Sequence, residues 1–290
     1  MIMNNFYYID KPLDHTSFDI IRILRKRFNI KKMWHTWTLD PLASWGLIVV
    51  TWNYTKLIPY LEKDTKEYEF DIMLDWTTES FDLWEEVQFL GQEKQNYYRK
   101  NLKQEDINQI LLEKFSWKIK QVPPKYSALK IGWKKAYELA RAGENIKMKE
   151  RDVTIFNIEL KSFKYPKLSL KAKVSAWTYI RSIAADLWAL IGTWWYISKL
   201  RRTKIWNFDI SNAFELDNIR IENSIDVKNI FNSDLFITLD EEVLLKINNW
   251  LQVNWEFDYP KNKDLFVYDG ENITNIVTYN WELLKAIRKI

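Results

Sequence analysis

An aspartate followed by proline, Asp40-Pro41, closes the polar run HTWTLDPLAS and leads into the apolar run GLIVV. Taken alone, Asp-Pro marks a turn. A carboxylate at the end of a loop that feeds a buried strand can also serve as nucleophile or base. The remaining inventory narrows the chemistry. The chain has no cysteine and only two histidines, His15 and His35. Disulfides, thiolate metal sites, iron–sulfur clusters and cysteine nucleophiles are therefore excluded, and a histidine-rich metal site is not expected. Catalysis would have to come from carboxylates, hydroxyls, tyrosine, lysine and arginine.

Charge supplies a second clue. Net charge is only +4, but Arg22, Arg25, Lys26, Arg27, Lys31 and Lys32 fall within residues 22–32 with no acid among them, and Arg201, Arg202 and Lys204 form a second group. Such stripes suit a phosphate backbone; a solvated helix face is the plainer reading.

The elements that must hold these residues can be sketched from periodicity. Ser17 precedes FDIIRILRKRF, whose Phe18, Ile21, Leu24 and Phe28 recur at helical spacing, so Ser17 is the expected N-cap. Residues 66–74 alternate as a strand, with Tyr68, Phe70 and Ile72 on one face, which fits a core tyrosine as well as a working one. Residues 104–115 read as an amphipathic helix, and 179–190 as a helix through Ile180, Ile183, Ala184 and Leu187. VTIFNIEL and LSLKAKV look like paired strands, and a Pro-Pro break at 123–124 is expected to run on into a basic helix through Tyr137 and Leu139. Short alternating runs in the last fifty residues suggest a small β-rich domain.

Several of these segments together resemble the bacterial tRNA pseudouridine-55 synthase (TruB) family. Lys11-Pro12 and Thr16-Ser17 look like its opening block. His35 to Trp45 matches its signature loop except at two glycines. Thr55-Lys56, Lys66 to Tyr68, Pro124 to Lys130, Trp177 to Arg181 and Leu200 to Thr203 follow in family order. The resemblance implies an α/β (α+β) fold with a mixed, largely antiparallel sheet in a catalytic domain over 1–235. It also implies an RNA-clamping insertion at about 125–152 and a small PUA-like RNA-binding domain over 240–290.

The implied reaction isomerises a T-loop uridine of tRNA. It needs no cofactor or metal. Asp40 would be the catalytic carboxylate and Arg181 its partner, since a cation within about 4–6 Å keeps a carboxylate ionised and fixes its direction. Tyr68 would stack on the uracil near the C5 proton. Tyr179 and Leu200 would wall the pocket, and His35 would enter the space the extruded base leaves. Lys11, Lys130 and Arg202 would join the RNA contacts. Lifting the base from its stack costs a few kcal/mol, which stacking and phosphate contacts can supply. A noncatalytic tRNA-binding or folding chaperone on the same scaffold is the alternative. A metal-free aspartate hydrolase lacks the usual acid pair. No apolar run reaches the length of a membrane span and no signal-peptide layout opens the chain, so a cytoplasmic monomer is expected.

One feature of composition is abnormal. The chain has 16 tryptophans and 6 glycines. Together they approach the roughly 20 glycines of an average chain this long. Trp34, Trp37, Trp45, Trp52, Trp117, Trp133, Trp177, Trp188, Trp194 and Trp206 occupy positions where the resembled family has glycine. The hypothesis that accounts for both facts is a source that reads UGA as glycine, with UGA rendered here as tryptophan. Aromatic stacking or core residues are the plain alternative. Asp14 also stands at a family glycine and reads as true divergence, because aspartate tolerates left-handed backbone.

Overall fold

The computed structural model describes residues 4–36, 43–61, 65–77, 88–127, 129–255, 263–280 and 282–290. Asp40 and Trp37 lie outside the described residues. Among the described residues no helix is long and apolar enough to cross a membrane.

The alternation read at residues 66–74 becomes the strand Thr65–Leu74, with Tyr68, Phe70, Ile72 and Leu74 buried. It sits inside a large mixed sheet. From one edge the order runs Phe214–Glu215, Phe6–Lys11, Ala43–Thr51, Trp195–Ile205, Thr65–Leu74, Lys167–Ser175, Arg151–Lys164 and Trp117–Gln121. Along this order two pairings are parallel, Phe6–Lys11 with Phe214–Glu215 and Ala43–Thr51 with Trp195–Ile205; the rest are antiparallel. VTIFNIEL and LSLKAKV pair as expected, within Arg151–Lys164 and Lys167–Ser175.

Helices cover one face of the sheet. Helix Ser17–Phe28 buries Ile20, Ile21 and Leu24 against Tyr7, Ile9, Leu47 and Val49. Helices Gln104–Lys114 and Ile180–Ile191 bury Ile107, Leu111, Ile183, Ala184 and Leu187 against Tyr68, Phe70, Ile72 and Leu170. The opposite face, through Phe6, Tyr8, Ile48 and Val50, packs on Tyr54 and on Phe266, Ile273 and Ile276. Those last three belong to a second, five-stranded sheet of Phe236–Ile237, Asp264–Tyr268, Ile273–Tyr279, Leu283–Lys289 and Val253–Asn254. The C-terminal part is β-rich as expected, and its sheet takes in Phe236, a few residues before position 240.

Two local expectations are corrected. The N-cap of the first helix is Thr16, whose side chain accepts from the Asp19 N–H while the Asp19 carboxylate accepts from the Thr16 N–H; Ser17 is the first helical residue. This reciprocal box satisfies two backbone donors, where a Ser17 cap has no acidic partner three residues on. The basic helix after Pro124 is in part a hairpin. Lys130–Ile131 pairs with Lys134–Lys135 across Gly132 at φ 61°, and the helix is confined to Ala136–Arg141. A left-handed glycine ends a helix and suits a tight turn.

The backbone also bears on the tryptophans. Among the described residues eight non-glycine positions have positive φ. Three are Asp14, Asn29 and Asp75, the types that tolerate this region. The other five are Trp52, Trp117, Trp177, Trp206 and Trp250, at φ between 47° and 69°. A bulky residue there is a genuine outlier. A true glycine, Gly46, shows the complementary constraint: a Cβ would lie 2.0 Å from the Tyr8 hydroxyl oxygen.

Candidate active site

Strand register aligns four of the relevant side chains. Lys11 lies opposite Trp45, Trp45 opposite Arg202, and Arg202 opposite Tyr68, in a row across four neighbouring strands. All four are buried, Tyr68 at 3% and Arg202 at 1% exposure. The indole of Trp45 is flanked by two cations, Lys11 Nζ at 4.7 Å from its ring centroid and the Arg202 guanidinium carbon at 5.2 Å. Asp40 precedes in sequence the strand Ala43–Thr51, whose first residue, Ala43, lies opposite Leu200.

Lys11 and Arg202, expected among the RNA contacts, are interior residues. Lys11 Nζ donates to the carbonyls of Pro12 and His15 at 2.7 and 2.6 Å. Burial lowers its pKa to about 8, against the opposing pull of Asp14, Asp19 and Asp10. Arg202 Nη2 donates to the Gly46 carbonyl at 3.3 Å, while Nε and Nη1 have no acceptor among the described residues. Burial disfavours its charge, and Tyr68 opposes that by charge and by a side-chain hydrogen bond. The Trp45 Nε1 hydrogen also lacks an acceptor there.

Arg181 and Tyr179 come from the start of helix Ile180–Ile191. Through Ile180, Ile183 and Ala184 this helix joins the apolar cluster that holds Tyr68, and Leu200 packs against the same cluster. Tyr68, Leu200 and the helix that carries Arg181 thus share one core. Arg181 is buried, and its Nη2 donates to the Tyr126 carbonyl at 2.8 Å. Tyr179 is half-buried, with the Arg151 guanidinium 5.3 Å from its ring centroid.

His35 ends the short strand Met33–His35, half-buried and stacked on Trp34 at 5.7 Å. Burial lowers its pKa, against a backbone hydrogen bond with Thr36, and so favours the neutral imidazole. Lys130 stands apart on the exposed hairpin, with Lys134, Lys135 and Arg141 nearby in sequence.

Sequence reading missed Gln121. It is 1% exposed at the end of strand Trp117–Gln121 and bonds to the backbone of Tyr179 in both directions. Its only advance signal is a polar residue at the end of a strand, just before the Pro-Pro break. That is ordinary for a surface glutamine.

Arranged this way, the described part of the site has a buried tyrosine and arginine on neighbouring strands, and a second buried arginine at a helix start. Comparison with known proteins identifies the family. Residues 25–180, more than half of the chain, match the model of the TruB family pseudouridylate synthase (N terminal domain). A protein of Clostridium tetani named tRNA pseudouridine synthase B is 36% identical over 228 residues, covering 76% of this chain and 74% of that one. One of the same name from Mycoplasma mycoides is 32% identical over 249 residues, covering 85% and 83%.

Among solved structures, an H/ACA RNP bound to a substrate RNA containing 2'-deoxyuridine includes a chain with TM-score 0.68 at 15% identity, covering 99% of this chain and 84% of that one. The archaeal box H/ACA sRNP Nop10-Cbf5 complex gives 0.67 at 15%, with 100% and 86% covered. These two likenesses concern the fold. With the family model and the curated relatives in agreement, the chain belongs to the TruB family of pseudouridine synthases.

Proposed function

We propose that this chain converts one T-loop uridine of tRNA to pseudouridine. The observation that carries the reading is the apolar cluster shared by Tyr68, Leu200 and the helix that bears Arg181, with Ala43, three residues after Asp40 in sequence, paired opposite Leu200. Asp40 promotes cleavage of the bond between uracil N1 and ribose C1'. The base then turns to present C5, the C5–C1' bond forms, and the C5 proton leaves as N1 gains one. Arg181 keeps the carboxylate ionised in a partly dry site. Tyr68 stacks on the base, and Tyr179 and Leu200 wall it. Extrusion of the nucleotide exposes the reacting atoms. No cofactor or metal takes part. The basic hairpin and short helix within 125–152 clamp the RNA backbone, and the PUA-like sheet from about residue 240 adds contacts. The protein acts as a cytoplasmic monomer.

Tritium release from tRNA carrying [5-³H]uridine tests this directly. Asp40→Asn should lower release by at least about 10²–10⁴-fold while tRNA binding persists. A chaperone on this scaffold would release no tritium in either form, and that result would sink the enzymatic reading.

We further infer glycine at the tryptophan positions of the working protein, by UGA decoding. The support is local and physical: the five left-handed tryptophans stand where only glycine is free of a Cβ penalty. At about 1–2 kcal/mol each they would cost about 5–10 kcal/mol, comparable with a whole domain's stability. Trp→Gly at these five positions and at Trp34, Trp37, Trp45, Trp133, Trp188 and Trp194 should raise stability and activity together. Mass spectrometry of the protein from its source decides the matter; tryptophan found at Trp177 and Trp52 ends the idea.

A further inference from the structure

The buried amide of Gln121 makes a two-way pair with the backbone N–H and C=O of one residue, Tyr179. Its Oε1 accepts from the Tyr179 N–H at 2.8 Å, and its Nε2 donates to the Tyr179 carbonyl at 3.1 Å. Tyr179 is the cap residue of helix Ile180–Ile191, and its own side chain makes no capping bond. Its carbonyl also accepts from the N–H groups of Ser182 and Ile183, so the first helical turn hangs from it. Opposite Gln121 on the neighbouring strand is Arg151, the residue whose guanidinium lies over the Tyr179 ring. Two more bonds lace the same segments together: Ser182 Oγ donates to the Val122 carbonyl at 2.7 Å, and Arg181 Nη2 to that of Tyr126. Residues 121–126 and 179–182 are thus tied across 55–60 positions of sequence.

We propose that Gln121 is a positioning residue for the reaction: its side-chain amide locks the backbone of Tyr179, and through it aims the Arg181 guanidinium and the Tyr179 ring at the extruded nucleoside. The proposal rests on the reading of Arg181 as partner of the catalytic acid. An amide is required because Tyr179 offers one backbone donor and one acceptor side by side, and the side chain that meets them is buried. No apolar residue can answer both. A carboxylate can accept from the N–H, but its second oxygen would face a carbonyl. A neutral carboxylic acid reproduces the amide's donor–acceptor layout, and burial favours that neutral form.

Two substitutions test this. Gln121→Leu should lower kcat for pseudouridine formation by about 100-fold, the scale of a reacting group displaced by about 1 Å, with tRNA affinity held within about threefold. Gln121→Glu should be active at low pH and lose activity relative to the unsubstituted protein as pH rises from about 5 to 9, when its carboxyl ionises. A purely packing role would give no such pH-dependent ratio. Amide hydrogen exchange supplies an arm free of activity: the Tyr179 amide should exchange at least about tenfold faster in Gln121→Leu, with strand Lys167–Ser175 unchanged.

A parent protein that makes no pseudouridine would sink the functional reading, and the exchange arm would still judge the clamp. Should Gln121→Leu fail to fold, the Glu variant decides. A flat pH ratio for Gln121→Glu, unchanged Tyr179 exchange, or a kcat for Gln121→Leu within about threefold of the parent overturns the proposal.

Discussion

The two ends of strand Thr65–Leu74 carry buried polar clusters of opposite character. Just past its end is Asp75, 2% exposed with φ 71°. One carboxylate oxygen accepts from the Thr193 hydroxyl at 3.0 Å and the other from the Tyr165 hydroxyl, which also lies 3.0 Å from the Gln95 carbonyl. The Asp75 N–H donates to the Trp194 carbonyl, and its own carbonyl accepts from Leu90. Burial and the adjacent carboxylate hold the Tyr165 phenol protonated well above its ordinary range. Near the strand's start, Arg202 and Trp45 leave buried N–H groups without acceptors among the described residues. Satisfied polar groups fasten a fold, whereas unsatisfied ones lower its stability and persist where something else needs them. The Asp75 end is a fastening. The Tyr68 end pairs, through Arg202, with Trp45 of the strand that follows Asp40 in sequence.

The sharpest way to break this contrast is to remove the fastening. Asp75→Ala takes the carboxylate acceptor from the buried Thr193 hydroxyl and the part-buried Tyr165 hydroxyl, leaving Tyr165 the Gln95 carbonyl, and puts an alanine in left-handed backbone. Urea unfolding should show a loss of about 3–6 kcal/mol. A loss below about 1 kcal/mol would mean the cluster fastens nothing. The reverse is expected at the other end. Arg202→Met exchanges a poorly satisfied buried cation for an apolar side chain of similar length. Stability should hold or rise, by up to about 1–4 kcal/mol, while tritium release falls. A drop in stability as large as that of Asp75→Ala would erase the distinction between the two ends.

Much of the architecture could be read from the chain because periodicity reports burial directly. Tyr68, Phe70 and Ile72 alternate, and the strand follows; Ile180, Ile183, Ala184 and Leu187 share a helix face, and the helix follows. What misled was local chemistry. The Thr16–Asp19 box outcompetes Ser17, and Gly132 turns an expected helix into a hairpin. Within the site, motif resemblance nominated Tyr68, Arg181, Tyr179 and Leu200, which the fold gathers, and Lys11 and Arg202, which it buries. Gln121 escaped because its partners are the backbone N–H and C=O of a residue 58 positions away, and backbone carries no residue type to recognise. Asp75 escaped for a similar reason, since its role depends on Tyr165 and Thr193, distant in sequence.

The smallest expected effect concerns the far member of the buried row. Lys11 has a folded pKa of about 8 against an ordinary 10.5, with burial as the main cause. The native state therefore releases this proton before the unfolded chain does. Between those two values the unfolded chain binds more protons, so stability rises with pH across that window. Below about 8 the penalty for burying the charge is present in full, and above about 10.5 it is gone. Tyr8 and Tyr54, whose pKa values are raised by burial, pull the other way at high pH. The measurement is therefore a difference from Lys11→Met, taken by urea unfolding from about pH 7 to 9.5. The unsubstituted protein should gain about 1–2 kcal/mol on the variant over that range. A constant difference would mean that the carbonyls of Pro12 and His15, with the nearby acids, fully offset the burial of Lys11. The row would then be less strained than its orphaned N–H groups indicate.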